Sequence, residues 1–359
     1  MSYNLPFLSF AFNVLDSIYT ICYTYITMYK IDTVSVLGDG GWGTTLAILL
    51  AKKGLKVRLW SAFAGYADTL KTTHNNEKFL PGIVIPDEIE ITSDMHVATD
   101  RAAAIVIAIP SQFLRSVISR LKGMHLGAKV IISVVKGIEN ETFKRSSEII
   151  KDEIGDLDIA VLSGPTIACE IAGGLPATSV VASVSKDVAK QAQELFMSDR
   201  FRVYTSTDII GVELGGALKN IIAIAAGISD GLKLGTNAKA ALFTRGLVEM
   251  KRLGSALGAE QETFNGLSGI GDLVTTCISL YSRNRTVGEE ITRGKKLSDL
   301  IENMDMVAEG IETTRSVYGL SKKIGIEMPI TEQVYQVLFK DKNPHTAVSD
   351  LMLRDKKPE

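Results

Sequence analysis

The rhythm of apolar and polar positions changes once along this chain. In the first half, short continuous apolar runs alternate with helical spacing. Residues 33–38 (TVSVLG) predict a buried strand ending in glycine, and 44–54 a helix that Gly54 stops. Further strands are predicted at 56–60, 103–110, 128–135, 158–165, 177–183 and 201–206, with a helix over 112–122. Strands that are apolar throughout, separated by helices, imply a mostly parallel sheet covered on both faces.

After Ser206 the strand signal fades and 3.6-residue spacing takes over. Helices are predicted over 208–228, 237–257, 282–294, 310–324 and 331–339, punctuated by Gly231, Gly235, Gly258 and Gly325. The implied organisation is an α/β sheet domain over 31–205 followed by an all-α domain over 206–355. Residues 1–30 stand apart: between Met1 and Tyr29 the only charged side chain is Asp16. The stretch lacks a basic n-region and is broken by Asn4, Pro6, Asn13 and Asp16, so neither a signal peptide nor a stable membrane span is expected. It is read as a leader outside the fold, or as sequence upstream of a start at Met28; a peripheral anchor is the competing reading.

Composition narrows the class. A length of 359 residues with 46% hydrophobic and 22% charged residues suits two packed domains. A net charge of -2 without a long basic run argues against nucleic-acid binding. The cysteines (Cys22, Cys169, Cys277) are odd in number and far apart, which fits a reducing, cytoplasmic setting. The histidines (His74, His96, His125, His345) lack metal-ligand spacing, so no metal is expected.

Two sites stand out. In VLGDGGWGTTLA, Gly38, Gly40 and Gly43 have the spacing G-x-G-x-x-G, directly between a strand and a helix. Gly38 permits the tight turn, Gly40 a close approach to a pyrophosphate, and Gly43 close helix–sheet packing. The helix N-terminus favours the phosphates. An ordinary glycine-rich turn is the alternative. The end of the second predicted strand, RLWSAFAG, carries neither the acid of an NAD site nor a basic residue just beyond the strand, so NAD and NADP both remain open.

The second site gathers charge from distant segments. Lys136 (SVVKGIE) ends a predicted strand, at the edge where open α/β sheets bind ligands. Lys219 is the only formal charge between Glu213 and Asp230, among Gly, Ala, Ile and Leu. Desolvation there should lower its pKa and make it a usable acid/base; Lys136 would push the same way, and Asp272 would oppose both. Ser282, Arg283 and Asn284 at a predicted helix start suit an anion. The plainer alternatives are solvated or snorkelling lysines and a capped helix start.

Together these motifs resemble the bacterial NAD(P)-dependent glycerol-3-phosphate dehydrogenases. GDGGWGTTLA, IPSQFLR, KGIE, SGPTIACEIAGGLPA, ELGGALKN, GLSGIGDLVTTC, SRNRTVG, VAEGIETT and EMPITEQVYQVL occur in that family's order across roughly 31–355. The resemblance implies a Rossmann-like domain and a helical domain. It implies reversible reduction of dihydroxyacetone phosphate to sn-glycerol 3-phosphate, feeding phospholipid synthesis, in a cytoplasmic enzyme with homodimer assembly among the expectations. By motif, Lys219 resembles the proton donor/acceptor, with Lys136 and Asp272 as its partners. Gly164 and Thr166 resemble substrate contacts, and Ser282, Arg283 and Asn284 the phosphate site. Gly41, Trp42, Ala62, Phe113, Lys136, Ala168, Arg283, Val307 and Glu309 resemble cofactor contacts. Two departures concern the cofactor: the usual GAG is GDG through Asp39, and the basic residue often found after the second strand is Ala62. A dehydrogenase for another small hydroxy acid and a non-catalytic dinucleotide sensor are the competing readings.

Overall fold

The computed structural model describes residues 31–128, 130–304 and 306–356. The expectation for a leader over 1–30 lies outside the described residues.

The first half forms one eight-stranded sheet in the order β3-β2-β1-β4-β5-β6-β7-β8. Its strands are β1 (Thr33–Leu37), β2 (Lys56–Trp60), β3 (Ile89–Thr92), β4 (Ala104–Ile107), β5 (Val130–Ser133), β6 (Ile159–Ser163), β7 (Ala177–Ala182) and β8 (Phe201–Ser206). β1 to β6 pair in parallel, β7 turns antiparallel against β6, and β8 runs parallel to β7. All four residues of β4 and of β5 are buried, which explains their unbroken apolar sequence. β3 escapes the apolar-run signal because it is only four residues and exposes Glu90 at its second position.

Helices cover this sheet: α1 (Gly41–Lys52), α2 (Ala64–Thr73), α3 (Met95–Thr99), α4 (Ser111–Ile118), α5 (Ser146–Ile154), α6 (Ala168–Ala172) and α7 (Lys186–Phe196). The helix expected over 112–122 ends early as α4 and finishes in a 3-10 turn, Ser119–Leu121.

A helical domain follows. It comprises α8 (Ile209–Gly231), α9 (Gly235–Ala256), α10 (Asp272–Ile278), α11 (Arg283–Thr292), α12 (Leu297–Glu302), α13 (Glu309–Ile324), α14 (Pro329–Phe339) and α15 (Pro344–Met352). By length and composition α8 could cross a membrane, yet 83% of its most apolar window is buried in the fold. It is the core helix, with Leu214, Leu218, Ile221, Ile222 and Ile224 packed against Leu273, Val287, Ile311 and Val334 from the surrounding helices. Glycine lets neighbours approach α8 closely. A Cβ on Gly215 would lie 2.4 Å from the Ser268 carbonyl oxygen, and one on Gly227 would lie 1.9 Å from that of Arg285. Glu213, also on α8, ties it to the start of α5 by accepting from Ser147 N (2.8 Å) and Ser146 Oγ (2.7 Å). That tie sets α8 against the C-terminal edge of the sheet.

Candidate active site

The loops after β1, β2, β4, β5 and β6 open on one edge, because those strands are parallel. The loop after β1 is the glycine cradle. Gly38 has φ +117°, and a Cβ there would meet the Ala108 carbonyl oxygen at 2.4 Å. A Cβ on Gly43 would lie 1.9 Å from the Gly38 carbonyl oxygen, so only glycine lets α1 start this close to β1. At Gly40 a Cβ would meet nothing within 4 Å. α1 begins without a side-chain cap and without an acid in its first turn, leaving its N–H groups directed at that space. Trp42 keeps its indole N–H buried without a protein acceptor. Ala168 packs on the same turn: its carbonyl accepts from Thr45 Oγ1 (3.2 Å), beside Gly41.

The second cluster lies where α8 and α10 meet the ends of β5 and β6. Lys136 Nζ donates to Asp272 Oδ2 (2.7 Å), to the Gly164 carbonyl (2.9 Å) and to Thr166 Oγ1 (3.1 Å). Lys219 Nζ lies 3.0 Å from Asp272 Oδ1 and donates to Thr276 Oγ1 at 2.6 Å. Thr276 in turn donates to Asp272 Oδ1 (3.2 Å). Two cations therefore share one carboxylate that is only 2% exposed. Burial pushes Lys219 down to about 8; Asp272 resists this and Lys136 adds to it. Burial alone would raise the Asp272 carboxyl, but the two lysines overcome it and hold the group below its ordinary value. Cys277, the nearby thiol, is pushed up to about 12 by burial and is no competing acid near neutrality.

Lys136, Gly164, Thr166, Lys219 and Asp272 are thus brought together from four separate segments. Ser282 caps α11, accepting from Arg285 N at 3.3 Å. Arg283 is exposed and donates to the Val307 carbonyl at 2.7 Å, which joins two of the expected contacts. Asn284 is engaged within the protein: its amide donates to Asn220 Oδ1 (2.9 Å) and its carbonyl accepts from Gly310 N (2.9 Å). Glu309, at the start of α13, accepts from Ser111 N (2.8 Å) and from the Ser111 hydroxyl. It fastens the helical domain to the start of α4, whose Phe113 is 56% exposed. Ala62, just beyond β2, is exposed.

Comparison with known proteins decides the family. Residues 33–189 match the model for the NAD-dependent glycerol-3-phosphate dehydrogenase N-terminus, and residues 208–349 match that for its C-terminus. The chain belongs to the NAD-dependent glycerol-3-phosphate dehydrogenase family. It is 50% identical over 329 residues to glycerol-3-phosphate dehydrogenase (NAD(P)+) of Prosthecochloris aestuarii, covering 91% of this chain and 99% of that one. The corresponding protein of Geobacillus thermodenitrificans is 50% identical over 332 residues, covering 91% and 96%. Among solved structures, glycerol-3-phosphate dehydrogenase of Coxiella burnetii superposes with a TM-score of 0.87 at 41% identity, covering 90% of this chain and 99% of that one.

The site suits the nicotinamide dinucleotide of a glycerol-3-phosphate dehydrogenase. The open side of Gly40, the uncapped start of α1 and the unpartnered Trp42 N–H together leave a cradle of donors at the C-terminal edge of the sheet.

Three residues in this network lie outside the expected set. Thr276 completes the Lys219–Asp272 ring, and its signal was its place one turn after Asp272 on a helix. Asn220 donates to the Lys136 carbonyl (2.9 Å) and accepts from Asn284, joining the loop after β5, α8 and α11. Ser111 holds Glu309. The last two act across long sequence separations, where one sequence carries no signal.

Proposed function

We propose that this protein interconverts dihydroxyacetone phosphate and sn-glycerol 3-phosphate, using NADH or NADPH. The observation that carries the reading is the buried ring of Lys136, Lys219, Thr276 and Asp272 at the sheet edge that also holds the dinucleotide cradle.

When bound, the reduced nicotinamide supplies a hydride to the ketone carbon. Lys219 gives its proton to the oxygen that becomes the new hydroxyl, and solvent restores the proton afterwards. Its pKa of about 8 keeps it mostly charged at pH 7 yet ready to release a proton. Lys136 adds positive charge beside the developing oxyanion. Asp272 holds both ammonium groups in place, and Thr276 fixes the Lys219 amine. Gly164 and Thr166 line this pocket through Lys136, and Arg283 with the start of α11 at Ser282 receives the phosphate. Asn284 positions that helix start through its bonds to Asn220 and Gly310. Gly38, Gly40, Gly41, Trp42, Gly43 and Ala168 form the cofactor cradle, with Ala62, Phe113, Val307 and Glu309 around it.

The division of labour is a dinucleotide domain over 31–205 and a substrate domain over 206–355. Supply of glycerol 3-phosphate to phospholipid synthesis in the cytoplasm, and homodimer assembly, belong to the same proposal on the family likeness. A steady-state assay following reduced nicotinamide absorbance with dihydroxyacetone phosphate tests the reaction. Turnover restricted to keto acids would overturn it.

A further inference from the structure

The cradle contains an acid where a glycine-rich loop carrying phosphates would ordinarily avoid one. Asp39 stands between Gly38 and Gly40, and its side chain turns toward β2: Oδ2 accepts from Ser61 Oγ at 2.5 Å. Ser61 directly follows the last residue of β2 and is fully buried. The Ser61 hydroxyl has a single hydrogen, and the alternative acceptor, the Phe63 carbonyl, is farther away at 3.3 Å. The carboxylate is therefore anchored at the C-terminal end of β2. That is where an NAD-selective sheet of this kind presents an acid to the adenosine ribose, while the strand end itself, Ser61-Ala62-Phe63, has none.

The placement is built rather than incidental. The Asp39 carbonyl accepts from Asn76 Nδ2 (2.8 Å) and Thr44 Oγ1 (3.1 Å), which fixes the backbone under the carboxylate. Asn76 is fully buried and is itself held by Thr44 Oγ1 (2.7 Å) and Tyr66 OH (2.7 Å). The charged and titratable groups around the carboxylate are Tyr66 from α2 and Lys78 from the segment after it. Burial raises the Asp39 carboxyl, and Ser61 and then Lys78 pull it back. Two basic side chains of this region, Arg58 in β2 and Lys53 just beyond α1, are engaged elsewhere. Arg58 bonds Glu90 (2.8 Å) and the Asp100 carbonyl, and Lys53 holds three carbonyls between Glu194 and Met197.

We propose that Asp39 selects the cofactor, accepting a hydrogen bond from the ribose 2′-hydroxyl of NAD(H) and repelling the 2′-phosphate of NADP(H). It does from the glycine loop what an acid at the end of β2 does elsewhere. The inference rests on the dehydrogenase reading above, and it adds the cofactor's chemical class. Its discrimination has two parts, one attractive and one repulsive.

The test is equilibrium binding of NADH and NADPH to the purified full chain without substrate, followed by quenching of tryptophan fluorescence. Wild type is expected to bind NADH at least tenfold more tightly, about the size of a charge-assisted hydrogen bond. Asp39→Ala should shift the NADPH-to-NADH ratio of Kd values by tenfold or more toward NADPH. Asp39→Asn keeps a side chain that can bond Ser61 and removes only the charge; it should make most of the same shift, which separates repulsion from packing. Wild type that binds NADPH as tightly as NADH, or variants that bind both with an unchanged ratio, would overturn the role of Asp39 and leave the dehydrogenase reading intact. Binding of neither nucleotide by wild type would overturn both. If Lys78 instead grips a 2′-phosphate, wild type prefers NADPH and Lys78→Ala removes that preference, which also overturns the proposal.

Discussion

Replacing Lys219 with Ala tests the chemistry most directly. With its pKa at about 8, roughly nine-tenths of Lys219 is protonated at pH 7 and roughly one-tenth at pH 9. Wild-type ketone reduction needs the charged form, so kcat should fall about tenfold between those pH values. Oxidation of the alcohol needs the neutral amine and should rise over the same interval. In the variant, general acid catalysis worth ~10²–10⁴ in rate is lost. Loss of the ammonium's field on the oxyanion adds to this. Folding should survive, because Asp272 keeps Lys136 at 2.7 Å and the Thr276 hydroxyl at 3.2 Å, so no buried charge is orphaned. Dinucleotide affinity should persist, since the Gly38–Gly43 cradle belongs to the sheet. The assay is kcat against pH in both directions, with cofactor binding by fluorescence titration. A variant with near-normal kcat, or residual activity that keeps the wild-type alkaline limb, would refute the assignment and move the proton to Lys136 or to water.

Arg283→Ala should raise KM for dihydroxyacetone phosphate roughly tenfold or more, from loss of a charge-assisted bond; an unchanged KM would place the phosphate elsewhere. Gly227→Ala would put a Cβ 1.9 Å from the Arg285 carbonyl oxygen, forcing α8 and α11 apart. Overpacking of this kind costs roughly 1–3 kcal/mol or more, so thermal unfolding should shift down by several degrees, and an unchanged Tm would show that α11 yields freely. Glu249 is buried, accepts from Ile330 N and Thr331 N at the start of α14, and is pushed up from 4.5 to about 7 by burial. A raised folded value means the native state holds a proton that the unfolded chain has lost. This stabilisation is full below about pH 4.5 and disappears as pH rises through about 7, on the order of 3 kcal/mol. Denaturant midpoints across pH 4.5–8 should show the decline, and Glu249→Gln should flatten it; an equally steep decline in the variant would assign it to another group.

Much of the architecture was written locally. The continuous apolar runs of β1, β4, β5 and β6 marked a sheet buried on both faces, because a strand covered twice has no side left for polar residues. The cradle was legible because the Gly43 demand is local: a Cβ there would meet the Gly38 carbonyl oxygen five residues back, within one strand–turn–helix unit, whereas the crowding of Gly38 against Ala108 after β4 is set by the sheet. Lys219 declared itself by being alone among small and apolar neighbours, and its low pKa follows from that burial. β3 was missed because four residues, with Glu90 exposed among three buried ones, carry too little periodicity, and α10 because it is only seven residues long and directly follows Gly269 and Gly271.

What tertiary structure alone decided is which groups meet. Asp272 was expected near Lys219, but that it bridges Lys136 and Lys219 through opposite oxygens, with Thr276 closing the ring, depends on α8, α10 and β5 converging. Asn284 was expected at an anion site, and its side chain also ties α11 to Asn220 and Gly310, partners from remote segments that one sequence does not reveal. Asp39 is the sharpest case. Its place in the motif was visible, but its direction was not: only the packing of β2 beside β1 brings Ser61 within reach and turns the carboxylate to the strand end. A chain encodes residue type and spacing along itself, whereas hydrogen bonds and charge coupling fall off over a few ångströms in space. Such distances between remote segments exist only once the sheet and the core helix have set them.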